Sequence, residues 1–311
     1  MHGHSHLQGQ NLPLWRRWRR QGYYLLTLAT LAGMSRLPER WGQGICVGLA
    51  RLALRARSRE RRQAWHNLGL AFPHLSPSER HRLLAKALET LGRNLYDMLV
   101  LDRQARRDFP EVADAGVIAS ISKLRAHGRG VLILTGHLGC WELLGAYLAA
   151  RLQGLAVITG TVHNAPVDRL LQERRVRLGL RPMPRESDLR PVVRTLRRGG
   201  VVAVLLDQNT RVQNVAVPFF GRPAPTPVGF ARLALRYRVP VLPVAIGRVA
   251  AGHRISHLSP LPLPAGEGPA AVQLFLQRCN EALEQFIRRN PAEWVWFHDR
   301  WGDSTGSAGP R

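Results

Sequence analysis

Val131-Leu-Ile-Leu-Thr-Gly-His-Leu-Gly-Cys-Trp-Glu142 runs from four consecutive apolar residues through a Thr-Gly turn into a histidine. An apolar run that short reads as a strand of a sheet covered on both faces. Leu143-Leu-Gly-Ala-Tyr-Leu-Ala-Ala150 then reads as a helix, so His137 falls between a strand end and a helix start. On one straight helix, the spacing of His137 and Glu142 sets their side chains about 140° apart. The two meet only if His137 occupies the turn at the helix mouth and Glu142 reaches back from the first turns. There the carboxylate would fix the imidazole tautomer and raise its basicity, so that the ring takes a proton from a hydroxyl. The alternative is a capping histidine and a first-turn glutamate that favours the helix dipole.

Working outward, Gly154-Leu-Ala-Val-Ile158, Val201-Val-Ala-Val-Leu-Leu206, Val239 to Ile246 and Ile255 to Leu263 read as further strands. Helical stretches separate them, which predicts an α/β sheet domain. Asp207-Gln208 follows an apolar strand directly, at the carboxyl edge where open α/β sheets place their ligands; a capping loop carboxylate is the other reading. Asn164 and Asp168 are candidate caps of a basic helix carrying Arg169, Arg174, Arg175 and Arg177. Pro218-Phe-Phe-Gly-Arg-Pro223 reads as a turn-rich loop with exposed aromatics, and Thr226-Pro-Val-Gly229 as the start of a helix. Upstream, Ser76-Pro-Ser-Glu79 carries a helix-start signature, with Ser76 as N-cap and Glu79 completing a capping box. His66, His74 and His81 share no motif and belong to the surface.

The net charge is +24, from 45 Lys and Arg against 21 Asp and Glu, and nearly all the cations are arginine. Such an excess points to a polyanionic partner: nucleic acid, anionic lipid or an acidic protein. Cys46, Cys140 and Cys279 match no zinc or redox spacing, which implies a reducing compartment and no structural metal. His2, His4 and His6 alternate in a polar, loose terminus. Trp15-Arg-Arg-Trp-Arg-Arg20 precedes the apolar run from Tyr23 to Met34, which is shorter than the roughly 18–20 residues that cross a bilayer. A second, amphipathic segment runs from Ile45 to Leu54. Tryptophans, arginines and two modest apolar helices describe an interfacial anchor rather than a cleaved signal peptide. A single marginal span and a buried helical hairpin are the alternatives.

A base, its orienting acid and an arginine fit acyl transfer to a hydroxyl, with His137 deprotonating the acceptor and Arg175 stabilising the oxyanion. No serine or cysteine sits in a nucleophile elbow, so direct transfer is more economical than an acyl-enzyme, and Cys140 reads as packing.

His137-Leu-Gly-Cys-Trp-Glu142 resembles the His-x4-Asp/Glu motif of glycerolipid-type acyltransferases. The wider pattern resembles the late acyltransferases of lipid A biosynthesis, the lauroyl and myristoyl transferases. It runs from Asn67-Leu-Gly-Leu-Ala-Phe-Pro-His-Leu-Ser76 through Asn164, Asp168, Arg175, Asp207-Gln208, Val217-Pro-Phe-Phe-Gly221 and Ala224-Pro-Thr226 to Glu293-Trp-Val-Trp-Phe-His-Asp-Arg-Trp301. The resemblance implies a glycerol-3-phosphate-acyltransferase-like mixed sheet flanked by helices, behind a helical membrane-associating region. It implies transfer of a fatty acyl chain from an acyl carrier protein thioester to the hydroxyl of a 3-hydroxyacyl chain on a phosphorylated glycolipid, with no cofactor or metal. By position His137 is the base, Glu142 its partner, Arg175 the catalytic arginine and Asp207 the second-strand acid. Gly139, Trp141, Asn164, Asp168, Arg174, Phe220, Gly221 and Thr226 are the implied substrate contacts. The expected division is membrane-associating helices over 1–60, an acyltransferase domain over 61–301 and a disordered tail over 302–311. The expected location is the cytoplasmic face of a bacterial inner membrane.

The chain departs from the family pattern at Val162-His163 and Ala165-Pro166, which bears on the acceptor. A related enzyme acting on an ornithine lipid, a polyene pigment or a glycolipid is the nearest alternative. A nucleic-acid binder would explain the charge, but the arginines are spread along the chain and form no binding motif. A non-enzymatic membrane scaffold leaves His137 and Glu142 without a use.

Overall fold

The computed structural model describes residues 22, 29–30, 33–34, 36–55, 58–126, 128–160, 164–185, 188–210 and 212–302. At its centre is β2 (Val131–Thr135), whose residues Val131 to Leu134 have no solvent exposure. Successive residues of a strand face opposite sides, and the packing follows that rule. Leu132 and Leu134 join one hydrophobic cluster, and Val131 and Ile133 join the other. This double burial is why the sequence shows a continuous apolar run instead of an alternating one.

The chain enters through α1 (Glu39–Arg55), α2 (Arg59–Ala71), α3 (Pro77–Leu99) and α4 (Leu101–Arg106). The Ser76/Glu79 capping box forms as expected: Ser76 Oγ accepts from Glu79 N at 3.3 Å and Ser76 N donates to Glu79 Oε2 at 2.9 Å. His66, His74 and His81 are exposed. The sheet elements follow as β1 (Val112–Asp114), α5 (Val117–Arg125), β2, α6 (Trp141–Arg151), β3 (Leu155–Thr159), α7 (Ala165–Arg177), β4 (Leu180–Pro184), α8 (Arg190–Arg197) and β5 (Val201–Leu205). Then come β6 (Asn214–Phe219), β7 (Arg222–Pro227), α9 (Val228–Tyr237), β8 (Val241–Val249), β9 (Gly252–His257) and α10 (Pro269–Arg289).

Seven strands form one sheet in the order β1-β9-β8-β2-β5-β3-β4. Every neighbouring pair is parallel except β8 with β9. The α/β class expected from the strand and helix pattern is therefore present, with the mixed sheet that the family resemblance implies. Three local expectations are corrected. β4 was not anticipated, because Pro182 and Pro184 argue against a strand interior; it lies at the sheet edge, where a missing N–H is tolerated. The segment from Pro218 to Pro223 is not an open loop but the turn of the antiparallel β6–β7 hairpin. Its aromatics are buried: Phe219 packs against Trp294 and Trp301, and Phe220 against Phe72. The strand expected over 255–263 ends at His257, just before Pro260, Pro262 and Pro264 remove three donors.

α1 lies close on α3, where a Cβ on Gly92 would come within 2.8 Å of Cys46 O. Trp41, Ile45, Leu49 and Leu52 of α1 stay exposed. No helix among the described residues is long and apolar enough to cross a membrane. The apolar run from 23 to 34 falls mostly outside the described residues, as do residues 161–163 and the tail over 303–311.

Candidate active site

β2 and β5 pair in parallel with Thr135 opposite Leu205. Two residues beyond each strand end stand His137 and Asp207, so the register itself brings these distant side chains together. His137 Nδ1 is 2.8 Å from Asp207 Oδ1, and the His137 backbone N–H donates to Asp207 Oδ2 at 2.6 Å. Trp294 Nε1–H donates to the same Oδ2 at 2.8 Å. Burial alone would raise the Asp207 carboxyl, which has no solvent exposure; His137, Trp294 and the nearby His298 more than offset this and hold it well below the usual carboxylate range. An ionised Asp207 on Nδ1–H leaves Nε2 of His137 as the basic nitrogen.

The expected pairing of Glu142 with His137 is corrected by this geometry. Glu142 lies in the first turn of α6 and points to the last turn of α7, where Arg175 Nε donates to Oε2 at 3.2 Å and Nη2 bonds Oε1. Burial works against the charge on Arg175, and the Glu142 carboxylate reverses the effect and raises its pKa. The helix turn carries Glu142 away from the imidazole, as the five-residue spacing suggests.

The turn between β2 and α6 is clamped from the far end of the sequence. Gly139 N donates to Glu293 O at 2.9 Å, and Val295 N donates to His137 O at 3.1 Å. Gly139 has φ +55°, and a Cβ there would stand 2.3 Å from Ile246 O. Asn67 Nδ2 donates to Trp296 O at 2.7 Å and His298 O at 2.6 Å, tying α2 to the same segment.

A cavity of about 310 Å³ opens beside His137 and runs along β3 from Gly160 to Leu155. Its walls include Ile133, Leu144, Leu148, Val157 and Leu180; its polar groups include Glu142, Arg175, Arg185 and Gln208. Trp141 also lines it, its ring edge-on to His137 at 5.0 Å. An apolar wall joined by a few polar groups is the usual build of a ligand site.

The other expected substrate contacts lie outside the cavity lining, and most have structural work. Asn164 caps α7, accepting from Val167 N at 3.3 Å, and Asp168 accepts from Gln172 at 3.4 Å. Arg174 is held by Asp102 at 2.6 Å and by the carbonyls of Met98 and Leu99. Phe220 and Gly221 form the hairpin turn, both at positive φ. Thr226 is buried and hydrogen-bonded to Ala224, Asn280 and Arg300. Gly139 serves the turn. Cys140 is buried, and its thiol is raised by that burial.

Gln208, Arg185, Trp294 and His298 had no site role in the sequence reading, although three of them fall within quoted motifs. Gln208 lies against His137, and the His298 ring is 5.3 Å from the His137 ring. Among the described residues no group of three or more His, Cys, Asp and Glu side chains is placed to share a metal ion.

The chain is 25% identical to the lipid A biosynthesis myristoyltransferase of Escherichia coli over 276 residues, covering 88% of this chain and 84% of that protein. It is 26% identical to the lipid A biosynthesis lauroyltransferase of the same organism, covering 81% and 82%. It is also 24% identical to a phosphatidylinositol mannoside acyltransferase of Mycobacterium tuberculosis, covering 70% of each. Residues 15–303 match the family of bacterial lipid A biosynthesis acyltransferases, to which this chain belongs, and the protein is an acyltransferase.

Proposed function

We propose that the protein transfers a fatty acyl chain from an acyl carrier protein thioester to the hydroxyl of a 3-hydroxyacyl chain on a lipid A precursor. The observation that carries this reading is that His137, its Nδ1 fixed by Asp207, lines a cavity with an apolar wall of Ile133, Leu144, Leu148, Val157 and Leu180. The cavity takes the donor chain and leaves the thioester carbonyl beside His137. Nε2 accepts the acceptor's hydroxyl proton as its oxygen bonds to the carbonyl carbon. Arg175, whose Nε and Nη2 face Glu142, presents Nη1 to the oxyanion. Collapse breaks the C–S bond, and His137 returns the proton to the departing thiolate. Cys140, buried behind the turn, takes no part.

The same geometry serves any hydroxyl held at His137, and the likeness to the mycobacterial phosphatidylinositol mannoside acyltransferase supports a glycolipid acceptor as the second reading. The acidic carrier protein and phosphorylated acceptor match the net charge of +24. The exposed stripe Trp41, Ile45, Leu49 and Leu52, followed on α1 and α2 by Arg51, Arg55 and Arg59, supports attachment to the cytoplasmic face of the inner membrane. Binding to anionic vesicles in preference to DNA at moderate salt tests that attachment.

The reaction is tested with purified protein, acyl carrier protein and coenzyme A thioesters of several lengths, and a tetra-acylated lipid A precursor, with His137→Ala alongside. Product from wild type only is the expected result. Folded wild-type protein that neither transfers nor hydrolyses any thioester would overturn the reading.

A further inference from the structure

Gln208 follows Asp207 directly, and its amide nitrogen stands between two imidazoles. It is 3.0 Å from His137 Nε2 and 2.7 Å from His298 Nε2. The rings lie 5.3 Å apart and are inclined by 63°. The same amide nitrogen is 3.4 Å from His298 Nδ1, so it touches both nitrogens of that ring but only Nε2 of His137. An amide N–H donated to His137 Nε2 requires that this nitrogen hold a lone pair. This follows from Asp207, which takes the proton-bearing Nδ1. His298 is buried, which pushes its imidazole down to about 4, so the ring against the amide is neutral at physiological pH. The amide oxygen turned towards His137 would meet its lone pair, which sets the orientation of Gln208.

The lone pair that must receive the acceptor's proton is therefore already engaged. We propose that Gln208, anchored by His298, caps the basic nitrogen of His137 against water and gives way to the acceptor hydroxyl, so that this pair sets the partition between acyl transfer and thioester hydrolysis. The proposal rests on the acyl-transfer reading above. In the hydrolytic reaction a water gives its proton to His137 Nε2 as its oxygen bonds the acyl carbon. The C–S bond then breaks, and the thiolate leaves with the proton from His137, giving a free fatty acid and a free thiol. Transfer differs only in the source of the oxygen. A lone water must displace the amide by itself, whereas the acceptor hydroxyl is pressed against Nε2 by the binding of the rest of its molecule. When displaced, the amide keeps its contact with His298, so the cap opens without leaving the site. Gln208 and His298 are in this sense positioning residues.

The test uses the full chain with Gln208→Ala, His298→Ala and the double variant Gln208→Ala/His137→Ala. Two readouts are taken: thiol and free fatty acid released without acceptor, relative to product formed with it, and the Nε2 resonance of His137 in nitrogen-labelled protein. Gln208→Ala should raise the hydrolysis-to-transfer ratio about tenfold, the loss of one hydrogen bond, and His298→Ala should raise it less. The double variant should return hydrolysis to background, since the freed base is His137. The His137 Nε2 resonance should move towards that of an unbonded imine nitrogen. A ratio equal to wild type, or an unmoved resonance, would overturn the cap. If the resonance moves while wild type acts on no thioester, the cap stands as a property of the base and the acyl-transfer reading is what fails.

Discussion

Glu142 and Arg175 are joined through two nitrogens of the guanidinium, on the wall of the cavity that His137 also lines. Each side chain is less than one-fifth exposed, so removing one leaves the other as a poorly solvated charge. The pair acts as a unit. Glu142→Ala and Arg175→Ala should each lower kcat/KM, by about 10²-fold or more. The double variant should be no worse than the more damaging single one. A double-mutant cycle of kcat/KM checks this, and multiplicative losses would mean separate roles.

Asp207→Asn should keep the sheet but disturb the base. An amide cannot accept from His137 N, His137 Nδ1 and Trp294 Nε1 at once. The expected loss is about 10²–10⁴-fold in kcat, with about 1–3 kcal/mol of stability for each N–H left unmatched. Turnover and urea denaturation of the same preparation separate the two effects.

His298 makes the fold sensitive to acid in a defined window. Its native pKa, about 4, lies below the ordinary 6.5, so between these values the unfolded chain binds the proton first. The neutral ring's contribution is complete above pH 6.5 and is lost as pH falls towards 4. The urea midpoint should drop across this range, and His298→Gln, which takes no proton there, should flatten the drop. An unchanged slope in the variant would remove His298 as the cause.

Gly145 sets the width of the cavity beside Leu180. A Cβ at Gly145 would come within 3.0 Å of Leu180 Cδ2, at the far end of a flexible side chain. Gly145→Val should narrow the cavity and favour shorter donors, and Leu180→Ala should favour longer ones. Each methylene that loses its place costs about 0.8 kcal/mol, roughly fourfold in kcat/KM. Competition between thioesters of graded length measures the shift.

Gly139→Ala should be among the most damaging small changes. Its Cβ would collide with Ile246 O in a backbone region that L residues avoid. A loss of roughly 1–3 kcal/mol or more is expected, seen as a lowered Tm, with turnover falling as His137 shifts.

The parts of this architecture that local pattern can carry were legible in the sequence. The apolar runs at β2 and β5, the Ser76 capping box and the turn holding His137 all depend on neighbours within a few residues. Asp207 was legible as a strand-end acid, because the offset from β5 is local. Its partnership with His137 was not, since that depends on the β2–β5 register. Glu142 carried the opposite lesson: sequence proximity suggested a partner that the helix turn removes. β4 stayed hidden because prolines are excluded from strand interiors but accepted at an edge. His298 and Trp294 gave no signal of role, since the contacts that define them span 87 to 231 residues of chain.

Those long spans have a consequence for how the protein comes into being. The nine strands among the described residues are complete by His257, but Asp207 lacks its indole donor and His137 its backbone clamp until residues 294 and 295 arrive. A chain still being synthesised can assemble its sheet and cavity while its histidine remains unset. On the proposed mechanism, a competent base therefore awaits the C-terminal segment, which Asn67 of α2 holds through the carbonyls of Trp296 and His298.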